Sequence, residues 1–325
     1  KIYENSCCGF IGSGTLNQIK GTHSSIVGGS TNHAVSAHTF IGGGEQNVVA
    51  GCRSSIAGGY QNSLSGNTGF IGGGQQNLIT SNWGTIVGGF NNKLCGTDNI
   101  LNTVGGTLNT IDNGCRSTIA GGAENVVSEN YGFIGAGRNN KVLQRSSFIG
   151  GGCNNSTLSS SNFIGGGCCN ETCGDYSIIV GGKFNDAHGV YSAVVGGFAN
   201  NLFSTGGMGF IGGGRSNSLS GNATATNTGF YSFIGGGCSN KVGSKYGVIA
   251  GGKNNDMLAF KGVIGGGHEN IICECANGSA IVGGCYNVAL SGTSFIGGGY
   301  TNRVQGHQTA IAGGGGNKIG CDTDN

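Results

Sequence analysis

The stretch Phe70-Ile71-Gly72-Gly73-Gly74-Gln75-Gln76-Asn77 constrains this chain more than any other feature, because its frame returns from one end to the other. Counted by the closing Asn, copies end at residues 17, 32, 47, 62, 77, 92, 109, 125, 140, 155, 170, 185, 200, 217, 240, 255, 270, 287, 302 and 317, mostly 15 apart. A 15-residue unit cannot bury a core alone, so it must cover its apolar side chains with its neighbours. The period therefore predicts a stack of one small unit.

Inside the unit, the sixth residue before the Asn is Ile or Val in nineteen copies, with Thr103 the exception. A ladder of Ile11, Ile26, Ile41, Ile56, Ile71, Ile86, Ile134, Ile149, Ile164, Ile211, Ile234 and Ile296 is the inward column that a parallel β-stack requires. The fourth and third residues before the Asn are a Gly-Gly pair, broken only by Ser13-Gly14 and Ala136-Gly137, which marks a sharp turn. The Asn row follows that turn, with Asn32, Asn47, Asn62, Asn77, Asn92, Asn155, Asn170 and Asn185 among its members. Its short amide can bond local backbone, or the Asn above and below. An apolar residue recurs two places later, as at Ile19, Val49 and Leu64, and Gly or Ser then marks a second turn. Two short strands and two turns use up the period. Helix is excluded, since paired Gly at this frequency destabilises by about 1 kcal/mol per Gly. The expectation is an all-β, parallel β-solenoid or β-roll of about twenty 15-residue coils, with no cofactor.

Composition removes other classes. Gly accounts for 73 residues and Pro for none, and Gly does not fall at every third position, so collagen is excluded. Charged residues are only 9%, yet 36% are hydrophobic and hold a fixed phase, which argues against disorder. A net charge of +2 without basic runs gives no footprint for nucleic acid. No apolar run is long enough to span a bilayer, so no membrane insertion is expected in this segment. Residues 1–9 are read as a lead-in from a longer or processed chain, and 10–325 as one continuous solenoid with insertions near 93–118, 201–232 and 271–280.

Fourteen Cys favour an oxidising compartment. Cys153 and Cys168 share one phase a single repeat apart, and stacking at about 4.8 Å would bring them within disulfide reach. Glycan acceptors are sought in Asn-x-Ser/Thr triplets, where Asn154, Asn222 and Asn277 are the candidates outside the turn row. His23 and His38 share a phase but make a poor metal pair without Cys or carboxylate beside them. No catalytic constellation is present.

The residues flanking the core Ile carry a second pattern. Phe precedes the Ile at Phe10, Phe40, Phe70, Phe133, Phe148, Phe163, Phe210, Phe233 and Phe295, and in every one of those coils Gly follows it. In ten of the other eleven coils Val or Ala follows; the exception pairs Val263 with Gly265. Exchange of volume between neighbours is a mark of close packing. The Phe row is therefore expected at an oligomer interface, most economically among copies of the chain around an axis.

The frame Ser55-Ile56-Ala57-Gly58-Gly59, with Asn62 and Gly66, resembles the head repeats of trimeric autotransporter adhesins and related Gly-Gly-x-x-Asn repeats of surface fibres. The resemblance extends from Phe10 to Ile319. It implies a left-handed roll, a homotrimer that could join end to end into filaments, and an extracellular or cell- or virion-surface location. It further implies adhesion to a glycan or host-surface ligand, without catalysis. Glycan binding or processing by a tail-fibre-like solenoid, and ice binding, are the alternative readings.

Overall fold

The computed structural model describes residues 1–4, 6–96, 102–203, 207–220 and 231–320. The chain is an all-β parallel β-solenoid, with forty short strands from β1 (Phe10–Ile11) to β40 (Lys318–Ile319) and no helix among the described residues. It divides into two units, Lys1–Thr157 and Leu158–Asn325. The first holds β1 to β20 (Ser156–Thr157), and the second β21 (Phe163–Ile164) to β40. Each coil contributes one strand to each of two parallel ladders, the odd strands making one and the even strands the other.

Register is residue on like residue. Ile41 pairs with Ile26 on one side and Ile56 on the other. In the opposite ladder Val49 pairs with Ala34 and Leu64. Backbone bonds follow the same rule, as in Gly42 N to Ile56 O at 3.0 Å. The two inward columns meet as an apolar interior, with Ile26, Ile41, Ile56 and Ile71 from one ladder and Val49, Leu64 and Ile79 from the other fully buried. Removing such a side chain from water is worth roughly 1.5–3 kcal/mol, so each coil is held by its neighbours rather than by itself.

One coil departs from the expected frame. Thr103 is not in the core position; Val104 is, fully buried and paired with Ile86 and Ile119. The turn after Val104 is one residue short, so Gly105 takes the flanking place and Gly106 the turn, and the aliphatic column continues. Thr103 is then the outer flank, and with Gly105 beside it this coil joins the Val263–Gly265 coil as an exception to the volume exchange.

Of the insertions, 271–280 is described throughout. There Ala276 turns inward and is fully buried, its N–H donating to Cys273 O at 2.9 Å. At the start of the chain, Ile2 forms a bridge with Ile19 and Lys1 O accepts from Ile19 N at 2.9 Å, so these residues extend the even ladder.

Candidate functional site

The turn after each odd strand is organised by the Asn row. Asn77 is fully buried and its Nδ2 donates to Gly73 O, to Gly89 O of the following coil and to Asn62 Oδ1, each at 3.0 Å. Its own Oδ1 accepts from Asn92 N at 3.0 Å and Asn92 Nδ2 at 3.1 Å. Asn32, Asn47, Asn62, Asn92, Asn170 and Asn185 are buried in the same row. Of the Gly-Gly pair, the second member is the one dictated by sterics in most coils, although at Gly73, Gly213, Gly266 and Gly298 the first also has a positive φ, from +146° to +158°. Gly44 has φ +88°, and a Cβ there would stand 2.1 Å from Gly59 O; around Gly43 there is open space. Ser13 and Ala136 both occupy the permissive first place, which explains why they are tolerated.

Two further columns were not legible from residue type. The residue before the Asn, for example Gln76 at φ 57°, and one at the second turn, for example Trp83 at φ 58°, adopt the left-handed conformation without being Gly. Their N–H groups donate to the preceding coil, Gln76 N to Tyr60 O and Trp83 N to Asn67 O, both at 2.9 Å, and these bonds offset the steric cost. Side chains here face outward. The available clue was an exclusion: in a chain rich in Val and Ile, neither occurs in these columns among the described residues. A third row, also missed, lies two residues before the core Ile. Ser54 is buried there, its Oγ donating to Gly66 O at 2.9 Å and accepting from Gly69 N at 3.0 Å.

The outer surface of the odd ladder is the candidate interaction face. In the first unit its flanking column reads Phe10, Ser25, Phe40, Ser55, Phe70, Thr85, Thr103, Thr118, Phe133 and Phe148. In the second it reads Phe163, Ile178, Ala193, Phe210, Phe233, Val248, Val263, Ala280, Phe295 and Ala310. The column beside it contains only Gly, Ala and Val. Neither column has an ionisable side chain, whereas the outer face of the even ladder carries Lys20, Lys93, Lys141, Glu171, Asp186, Lys241, Asp256 and Arg303.

The Phe rings of this face are open to solvent, from 37% exposed at Phe210 to 56% at Phe10; Phe133 and Phe148 are half-buried, stacked with centroids 4.8 Å apart. Phe210 and Phe233 also stack, at 5.4 Å. The exchange of Phe with Gly is accompanied by a contact inside the chain. The Phe70 ring lies beside Gly72 of its own strand: a Cβ there would stand 3.5 Å from the ring, an ordinary contact, and 2.2 Å from Val87 O, a clash. The correlation therefore does not itself require a partner. What the face does present is a charge-free strip, Phe interleaved with Ser and Thr in the first unit and wholly apolar in the second.

Cys153 and Cys168 are half-buried members of the column that bridges coil to coil, Cys153 beside Arg138 in the first unit and Cys168 beside Lys183 in the second. Asn154 is exposed, in the left-handed column, its Oδ1 accepting from Asn139 Nδ2 at 2.7 Å; Asn155 beside it is buried. Asn277 is exposed and its Oδ1 accepts from Phe260 N at 3.0 Å. Asn222 lies outside the described residues. His23 and His38 stack with centroids 5.0 Å apart.

The even ladder brings together a group that the linear reading passed over. On β22 (Glu171–Thr172) and β24 (Asp186–Ala187), Glu171 pairs with Asp186, and Cys173 and His188 follow each by two residues. The Cys173 thiol donates to Glu171 Oε1 at 3.3 Å, and His188 Nε2 lies 3.9 Å from the same oxygen. Burial first, then the Glu171 hydrogen bond and the nearby carboxylates, push the Cys173 thiol up to about 12. Burial also raises the Asp186 carboxyl, which His188 pulls down and Glu171 pushes up. Asp256, the first residue of the strand Asp256–Met257, is raised by burial and lowered by Lys241; its Oδ1 is buried without a hydrogen bond.

No protein-family model matches the chain, and comparison with curated proteins gives no match either. No helix among the described residues is long and apolar enough to cross a membrane.

Proposed function

We propose that this chain is a structural component of an extracellular or surface fibre, in which like chains pack laterally through the outer face of the odd ladder. The observation that carries the reading is the absence of any ionisable residue along that face together with its exposed Phe rings. Exposed Phe rings in a charge-free strip are a liability in water and a natural contact surface for a copy bearing the same strip. The small residues beside the rings allow close approach. A homotrimer with the strips turned toward a common axis, as the repeat resemblance implies, buries all of them at once. The role is that of a scaffold, and any adhesive contact with a glycan or host surface falls to the turn edges and loops.

Sedimentation velocity at micromolar concentration tests this, with Phe70→Glu and Phe295→Glu introduced together and Ser63→Glu on the even ladder as the control. The expected result is an oligomer for the parent and the control, and a monomer for the double variant. A parent chain that sediments as a monomer, or a double variant that associates as the parent does, overturns the proposal.

A further inference from the structure

The group at Glu171, Cys173 and His188 is distinct from the apolar face, since it lies on the outer surface of the other ladder. The fold creates it by a simple rule. Residues two apart on a strand share a face, and parallel strands in matched register place like positions side by side, so Glu171 and Cys173 on one coil meet Asp186 and His188 on the next. One oxygen of Glu171, Sγ of Cys173 and a ring nitrogen of His188 all lie within 4.8 Å of one another.

We infer that Glu171, Cys173 and His188 form a binding site for a divalent cation of the zinc type. The donor set is one thiolate, one imidazole and one carboxylate, the three ligand types that zinc accepts in tetrahedral sites. Metal–ligand lengths of about 2.0 Å to oxygen and nitrogen and about 2.3 Å to sulfur imply ligand-to-ligand edges of about 3.3–3.5 Å in a tetrahedron. Two of these edges, 3.3 Å from Cys173 Sγ to Glu171 Oε1 and 3.9 Å from His188 Nε2 to that oxygen, already approach this spacing. The side chains are half-buried, so an ion can enter without unfolding a coil.

The surroundings fit the same chemistry. The Phe203 ring lies against the His188 imidazole, centroids 4.5 Å apart, and restricts its rotation. Asp186, across from Glu171 in register, stands outside this trio and adds negative charge beside it, while the fourth position of a tetrahedron is left to water. On binding, Cys173 gives up its thiol proton to solvent and the cation takes its place between sulfur and carboxylate. The ion would then join two successive coils through side chains, a contact that no other described Glu, Cys and His make together.

Cobalt(II) is the probe, because its thiolate complexes show a charge-transfer band and four-coordinate sites show strong visible bands. The reduced, metal-free full chain is titrated with Co²⁺, alongside Cys173→Ser and His188→Ala, with far-UV circular dichroism confirming that both variants keep the fold. The expected result is a band saturating near one equivalent in the parent, lost in Cys173→Ser, displaced by Zn²⁺, and formed with at least tenfold weaker affinity in His188→Ala. A parent without a saturable band, or a Cys173→Ser spectrum equal to the parent's, overturns the inference. Should Cys173→Ser fail to fold, Glu171→Gln takes its place, and unchanged affinity in both Glu171→Gln and His188→Ala likewise overturns it.

Discussion

Replacing Asn77 by Ala removes a side chain that takes part in five hydrogen bonds inside the turn. Nδ2 no longer serves Asn62 Oδ1, Gly73 O and Gly89 O, and Oδ1 no longer serves the backbone and side-chain nitrogens of Asn92. The losses are unequal. Gly89 O retains Gln75 N at 2.9 Å, whereas Asn92 N loses its acceptor in a fully buried position. A stranded buried donor costs about 1–3 kcal/mol and an ordinary lost bond about 0.5–1.5 kcal/mol. With partial relaxation of the neighbouring coils, a loss of about 3 kcal/mol is expected, comparable to truncating a core Ile to Ala. Asn77→Asp separates the contributions, because it keeps the acceptor for Asn92 but turns a carboxyl toward two carbonyl oxygens. Its acid form is favoured in the fold, so the variant is least stable above the ordinary carboxyl range and recovers as pH falls. In a repeat stack the damage is local, so hydrogen exchange on peptides covering residues 60–95 is the appropriate assay, with urea unfolding of the whole chain beside it. A change below about 0.5 kcal/mol in the opening of these coils, the range of an ordinary surface substitution, would refute the assigned role of the Asn row.

The Gly pair gives a contrast within one turn: Gly44→Ala, at φ +88° and against Gly59 O, should cost at least about 2 kcal/mol, while Gly43→Ala should be nearly neutral by thermal unfolding. Thr293→Gly should stabilise by about 1 kcal/mol in urea unfolding, because an exposed β-branched residue at φ 58° is relieved of its steric cost. Asp256→Asn should raise the melting temperature at pH 7. The carboxyl of Asp256 is raised by burial, so its favourable contribution is present below the ordinary Asp pKa and is lost as pH rises through the folded value; the variant's advantage should vanish in acid.

The architecture was legible because its cause is periodic. Ile41 and Ile56 could be assigned to one column without coordinates, since equal spacing in a stack means equal place. Where spacing changed, that logic slipped, and Thr103 was put where Val104 belongs because a residue missing from the turn moves the frame by one. The left-handed columns were hidden for a different reason: their demand falls on the backbone, and side chains as unlike as Gln76, Trp83 and Tyr131 can meet it. The link between Phe70 and Gly72 was visible, but its origin was not, because a ring lying over its own strand and a ring packed against another chain leave the same trace in composition. Glu171, Cys173 and His188 escaped notice since they come together only across two coils, 17 residues apart at the extremes.

The claim at the centre of this account is that the odd ladder's outer face is covered by like chains. Electron microscopy of the native assembly, at a resolution that counts chains around an axis and locates the aromatic column, tests it most directly. The account predicts several parallel chains side by side with Phe40, Phe70, Phe210 and Phe295 turned toward one another and the charged even ladders outward. Single rods with those rings at the solvent surface, or an assembly held through the even ladders, would contradict it.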